Sequence, residues 1–84
     1  MSKVLVKYRG YLASLTGVKE ENIEAVNIEA LLKSIKKTYG SEAEKNARSM
    51  LIAVNGQSIL LEKCFKTLLN DGDTVNFFPL SSGG

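Results

Sequence analysis

Few residues of this sequence could take part in chemistry, and the most informative are the two glycines at its C-terminal end, Gly83 and Gly84. The sequence contains no histidine, which excludes Ser-His-Asp and Cys-His nucleophile pairs and removes the commonest metal ligand. It has neither a phosphate-binding glycine loop nor the paired-cysteine spacing of a zinc site. We therefore predict a protein that is not an enzyme and binds no metal or cofactor of its own.

The C-terminal segment TVNFFPLSSGG carries no charged side chain. We predict that residues 80–84 form a flexible tail, which could extend about 16–18 Å at roughly 3.3–3.6 Å per residue. Glycine lacks a Cβ, so a diglycine end could enter a narrow channel in a partner. A carboxylate is a poor electrophile, and another protein would have to activate it with ATP. Under this hypothesis Gly84 is the reacting group and Gly83 is required for its activation; the alternative is an ordinary frayed terminus.

The elements that must position this tail fit a single domain over residues 1–79, because 84 residues leave no room for a second core. The alternation in KVLVKY (3–8) predicts a half-buried strand. The apolar spacing over 28–39 predicts the main helix, with Asn27 as its N-cap. Weaker patterns predict a helical turn over 10–17, a strand over 22–26 and a short helix over 42–48 with a capping box of Ser41 and Glu44, and leave 61–69 ambiguous.

A hairpin is predicted where two apolar runs, 50–54 and 57–60, flank Asn55-Gly56, a pair that tolerates the positive φ angles of a type I′ turn. A two-residue loop points Ala53 and Ser58 away from the core. The expected cross-strand pairs are Val54 with Gln57, Ala53 with Ser58, and Ile52 with Ile59.

The last predicted strand, 74–78, alternates so that Val75 and Phe77 face the core and Phe78 faces away. Pro79 suits the end of a strand at the sheet edge. An outward aromatic residue among polar neighbours is a candidate anchor for a partner, although Phe78 packed under a loop would explain the same pattern. The predicted partner interface consists of Phe78, Leu80, Ala53 and Ser58.

The order of strands and helices predicts an α+β fold in which a small mixed sheet packs on one main helix. The ubiquitin-like β-grasp has this order, by analogy of fold. The net charge of +2 has no basic block, which argues against nucleic-acid and membrane partners. No apolar run approaches a membrane span, and the N-terminus lacks a signal peptide. The single Cys64 is typical of a buried residue in a reducing compartment, so we expect a cytoplasmic protein.

On these residues the chain resembles the MoaD/ThiS family of ubiquitin-like sulfur carriers, and it is most similar to the MoaD branch, the small subunits of molybdopterin synthases. The resemblance covers nearly the whole chain. It departs at Arg9-Gly10, in a longer stretch between Leu60 and Asp71, and in the tail sequence PLSSGG. The matching motifs are KVLVKY (3–8), LTG (15–17), EALL (29–32), IAVNG (52–56), DGDTVNFFP (71–79) and the terminal Gly83-Gly84.

The resemblance implies a cycle of reactions. A MoeB-like enzyme using ATP and Mg²⁺ would adenylate Gly84, a persulfide would convert it to a thiocarboxylate, and the tail would enter a MoaE-like large subunit to donate sulfur in molybdopterin synthesis. Phe78 matches the family's aromatic contact position. Two other functions remain open: a ThiS-like carrier for thiazole synthesis, and a protein modifier joined through Gly84 to lysines.

Overall fold

Five strands and three helices form the described part of the chain, residues 2–58 and 68–79 of a computed structural model. The expectations for Ile59, Cys64, Leu80, Gly83 and Gly84 lie outside these residues. In chain order the elements are β1 (Ser2–Lys7), α1 (Tyr11–Thr16), β2 (Glu20–Ala25), α2 (Ile28–Tyr39), α3 (Ser41–Arg48), β3 (Leu51–Val54), β4 (Gln57–Ser58) and β5 (Thr74–Phe78).

The strands form one mixed sheet in the order β2-β1-β5-β3-β4. β1 and β5 are parallel, and the other neighbours are antiparallel. This confirms the predicted α+β fold with a small mixed sheet. The expectation that Pro79 ends an edge strand is wrong, because β5 lies at the centre of the sheet. Its parallel pairing with β1 joins residues far apart in sequence, such as Val6 and Val75, so no local pattern could reveal it.

The inward-facing residues of β1 and the apolar stripe of α2 pack in the same core, as both patterns predict. The α2 boundaries and its N-cap are confirmed, since the Asn27 side-chain oxygen accepts the Ala30 N–H at 2.8 Å. This bond satisfies one of the backbone donors that a helix start leaves free. The fully buried large side chains are Val4, Val6, Leu12, Ile28, Leu31, Leu32, Ile35, Ile52, Val75 and Phe77.

The capping box predicted at the start of α3, with Ser41 and Glu44, is wrong. Gly40 (φ 101°) occupies the N-cap position, and Ser41 is already the first helical residue. The positive φ, which favours glycine, turns the chain from α2 directly into α3 and leaves no position for a serine cap. The Glu44 carboxylate instead pairs with Arg48 one turn later, at 3.0 Å.

The predicted hairpin is confirmed in its turn and in its described pairs. Asn55 and Gly56 have φ angles of 53° and 86°, as a type I′ turn requires, and Ala53 pairs with Ser58. Ala53 alternates with the fully buried Ile52 and so faces away from the core, as predicted, although it is only 4% exposed. Its short side chain sits on an interior strand, recessed between β5 and β4.

A cluster of two tyrosines and a carboxylate ties the end of α2 to the sheet. Tyr8 and Tyr39 each donate a hydrogen bond of 2.6 Å to the same Glu21 oxygen, and their rings meet edge to face. Burial, followed by the hydrogen bond to Glu21, raises the pKa of Tyr8 well above its usual range and the pKa of Tyr39 to about 12. Within residues 2–58 and 68–79, no helix is long and apolar enough to cross a membrane.

Candidate functional site

The start of β5 is fixed by the DGD turn, which supplies the rigid base of the C-terminal segment. The Asp73 carboxylate accepts hydrogen bonds from the Asn70 backbone N–H at 2.8 Å and the Asn55 side chain at 2.9 Å. These bonds, the Asn70 one first, lower the pKa of Asp73, since they favour its charged form. Asn55 also accepts the Thr74 N–H at 2.9 Å. The turn of the β3–β4 hairpin therefore holds the start of β5.

The alternation of β5 separates two adjacent phenylalanines onto opposite faces of the sheet. Phe77 is fully buried and its ring stacks on Tyr8 at 6.2 Å between centroids. Phe78 lies on the other face and is half-buried. β5 therefore anchors itself in the core through Phe77 and presents Phe78 outward, one residue before the chain leaves the sheet at Pro79.

Phe78 has two neighbours on the outer face that are not among the predicted interface residues. Leu51 lies opposite it on β3 and is 36% exposed. The Arg9 guanidinium lies 5.1 Å from the centre of the Phe78 ring, within the range of a cation–π contact. We call Phe78, Leu51 and Arg9 the Phe78 patch. An aromatic residue on an outer face is a candidate anchor for a partner, so the patch is a candidate contact surface.

The chain leaves the sheet at Pro79, against the turn between β1 and α1. Gly10 has a φ of 62°, and a Cβ added to it would lie 3.4 Å from Pro79 Cγ. A residue with a side chain would be strained here by the positive φ, and its Cβ would lie in van der Waals contact with Pro79. Next to this contact is an open groove of about 170 Å³, lined by Tyr11, Asn46, Ser49, Met50 and Pro79.

Of the predicted interface residues, the structure places Phe78 and Ala53 on the outer face, with Ala53 recessed. Ser58 lies beside Ala53 on β4, and Leu80 and the two tail glycines lie outside the described residues. The assignment of this interface stays a prediction. Extending the alternation of β1 by one step would have placed Arg9 on the outer face, but its contact with Phe78 could not be read from sequence.

The described residues contain no cluster of side chains that could bind a metal ion. Among them, no group of three or more His, Cys, Asp or Glu residues is arranged to hold an ion. The polar clusters already described are structural: Asp73 secures a turn and Glu21 secures two tyrosines. Within the described residues the candidate site consists of the Phe78 patch on the outer face and Pro79 at the end of the central strand.

A mixed sheet on one main helix, with the C-terminal segment leaving from its central strand, is the ubiquitin-like β-grasp. Comparison with known families agrees: the model of the ThiS family matches residues 6–84. The chain therefore belongs to the ThiS family, whose members are small carrier proteins. A comparison with curated protein sequences gave no match.

Solved structures of similar proteins cover nearly the whole chain. Molybdopterin converting factor subunit 1 from Pyrococcus furiosus is 31% identical, with a TM-score of 0.78 over 94% of this chain and 98% of that one. Small archaeal modifier protein 1 from Methanosarcina acetivorans is 25% identical, with a TM-score of 0.84 over 100% and 98%. Subunit 1 of the converting factor from Helicobacter pylori, solved in complex with subunit 2, is 23% identical, with a TM-score of 0.70 over 98% and 99%; at that identity it supports the fold alone.

Proposed function

We propose that this chain carries sulfur for molybdopterin synthesis on its C-terminal Gly84. In the first step the Gly84 carboxylate attacks the α-phosphate of ATP, forms an acyl-adenylate and releases pyrophosphate. A persulfide sulfur then displaces AMP, and a thiol cleaves the resulting acyl disulfide to leave a thiocarboxylate. ATP and Mg²⁺ belong to the activating enzyme, and this chain supplies only the reacting end.

The observation that carries the proposal is the point at which the chain leaves the sheet, at Pro79 directly after the central strand β5. A central strand, held by Phe77 in the core and by Asp73 at its start, leads through Pro79 into the uncharged sequence LSSGG. An anchored strand followed by a short uncharged tail suits delivery into a partner's active site, because only the last few residues need to be ordered on binding.

The proposed partners are a MoeB-like adenylating enzyme and a MoaE-like large subunit, with no nucleic acid or membrane involved. The 31% identity with the P. furiosus subunit 1 supports the molybdopterin assignment, and the H. pylori complex is a relative of the same fold joined to its subunit 2. Both partners would meet the Phe78 patch, since it flanks the root of the tail. A cytoplasmic location follows from this proposal and is part of it.

Reconstitution tests the proposal. The purified chain is incubated with the adenylating enzyme of its own source, ATP, Mg²⁺ and a persulfide donor, and its intact mass is measured. We expect release of pyrophosphate and a mass gain equal to the exchange of one oxygen for sulfur, neither of which occurs when Gly84 is deleted. Pyrophosphate release that persists in the deletion variant would contradict the role of Gly84.

A second function, conjugation to proteins, is favoured by one specific comparison. The M. acetivorans structure, which matches this whole chain, is named a small archaeal modifier protein. A modifier would form an isopeptide bond between Gly84 and a lysine amine, with loss of AMP from the same adenylate. Gly-Gly remnants on lysines of other proteins after proteolysis would identify this function, and a thiocarboxylate alone would favour the carrier.

A further inference from the structure

The basic residues on the outer face of β1 differ in whether an acidic residue opposes them. In the antiparallel register of β1 and β2, Lys3 lies opposite Glu24 and Lys7 lies opposite Glu20. Arg9 continues the same alternation but lies beyond the last of these pairs. The next backbone contact, from the Tyr8 N–H to the Lys19 carbonyl at 2.8 Å, brings no carboxylate to face it.

Arg9 is therefore the basic residue of this row that has no acidic residue opposite it in the register of the sheet. It is exposed, and within residues 2–58 and 68–79 the ion pair found closer than 4.0 Å joins Arg48 to Glu44, not Arg9 to any acid. Its described partner is the face of the Phe78 ring, 5.1 Å away. A guanidinium keeps its charge at any physiological pH, so this positive charge stands at the edge of the Phe78 patch.

We propose that Arg9 is a specificity-determining residue, and that the adenylating enzyme presents a carboxylate to it beside the pocket that receives Phe78. This inference rests on the proposed function and adds to it the chemistry of the partner surface.

Desolvation of Arg9 favours an acidic residue in the partner. A partner that covers Phe78 must also exclude water from a guanidinium 5.1 Å from the ring centre. Burying a charge without a counter-charge is costly, and carboxylate is the group whose geometry matches the guanidinium fork. A partner with an apolar or basic residue at this point would bind poorly, and an acidic residue would therefore select this carrier over one without Arg9.

The test measures adenylation kinetics with the full chain as substrate and the adenylating enzyme of the same source. Arg9→Glu reverses the charge, Arg9→Gln removes it and Arg9→Lys keeps it. Lys33→Glu, an exposed position on α2, is the matched control with the same change in net charge. Thermal unfolding of each variant checks the fold.

For Arg9→Glu we expect the KM for the carrier to rise about tenfold or more, an effect of the size measured for charged interface pairs, with kcat within about twofold. Arg9→Gln should lose most of the dependence of KM on ionic strength seen with the wild type, because that dependence comes from the charge pair. Arg9→Lys should retain it. Reversing one acidic residue of the enzyme should restore the KM of Arg9→Glu.

Equal KM values for Arg9→Glu and Lys33→Glu would overturn the inference, as would a fall in kcat alone. A role of Arg9 confined to packing on Phe78 would appear as lowered stability with no change in the salt dependence of KM, and that result also overturns it. Failure of the wild-type chain to be adenylated at all would instead contradict the proposed function, so the two failures are distinguishable.

Discussion

Replacing Phe77 and Phe78 separately by alanine tests whether β5 divides anchoring from contact. Phe77 is fully buried and stacks on Tyr8, so Phe77→Ala leaves a cavity and should cost about 3–5 kcal/mol of unfolding free energy. Phe78 is half-buried and contacts Arg9. Half of the roughly 1.5–3 kcal/mol for burying a large side chain gives about 1 kcal/mol, and the exposed cation–π contact adds about 0.5 kcal/mol.

The assay is urea denaturation followed by circular dichroism, together with binding of each folded variant to the adenylating enzyme. We expect Phe78→Ala to retain most of the stability and to lose at least about tenfold in affinity, since truncating an aromatic anchor commonly costs more than 1.4 kcal/mol of binding. A Phe78→Ala variant as unstable as Phe77→Ala would refute the reasoning and place Phe78 in the core. Unchanged binding would show that the patch is not a contact.

Three further predictions concern the polar contacts that hold the fold. Asn27→Ala removes the α2 cap and should lower the unfolding free energy by about 1 kcal/mol in urea denaturation. The pKa of Asp73 is lowered in the folded state, so its contribution to stability is present above its ordinary pKa and is lost as the pH falls through the lowered value. The difference in unfolding free energy between the wild type and Asp73→Asn should therefore become smaller on acidification. A difference that stays constant with pH would contradict this. The raised pKa of Tyr39, about 12, means that its contribution to stability is present below pH 10 and is lost as the pH rises through 12. The difference in tyrosinate absorbance between the wild type and Tyr39→Phe should have that midpoint, and Glu21→Gln should lower it.

The features that sequence foretold are local ones. The N-cap at Asn27 and the turn at Asn55-Gly56 each depend on residues within a few positions, so residue type and spacing were sufficient to identify them. The capping box predicted at Ser41 is wrong although its spacing fits the motif, because Gly40, with its positive φ, occupies the N-cap position of α3. Two competing local signals cannot be ranked without the backbone that joins the two helices.

The features that sequence could not foretell join residues distant along the chain. The central place of β5 depends on its parallel pairing with β1, and the recessed Ala53 depends on strands on both sides. The contact of Arg9 with Phe78 arises only because that parallel pairing brings the ends of the two strands together. For the site, alternation placed Phe78 on the outer face, but its neighbours Leu51 and Arg9 required the register of three strands.

The state of the C-terminal residue in the native cell tests the central claim most directly. Mass spectrometry of the C-terminal peptide, isolated under conditions that preserve thioacids, should find Gly84 as a thiocarboxylate in part of the population. Cells lacking the adenylating enzyme should contain only the carboxylate. A terminus that is always an unmodified carboxylate, even with the activating enzyme and a sulfur source present, would contradict the account.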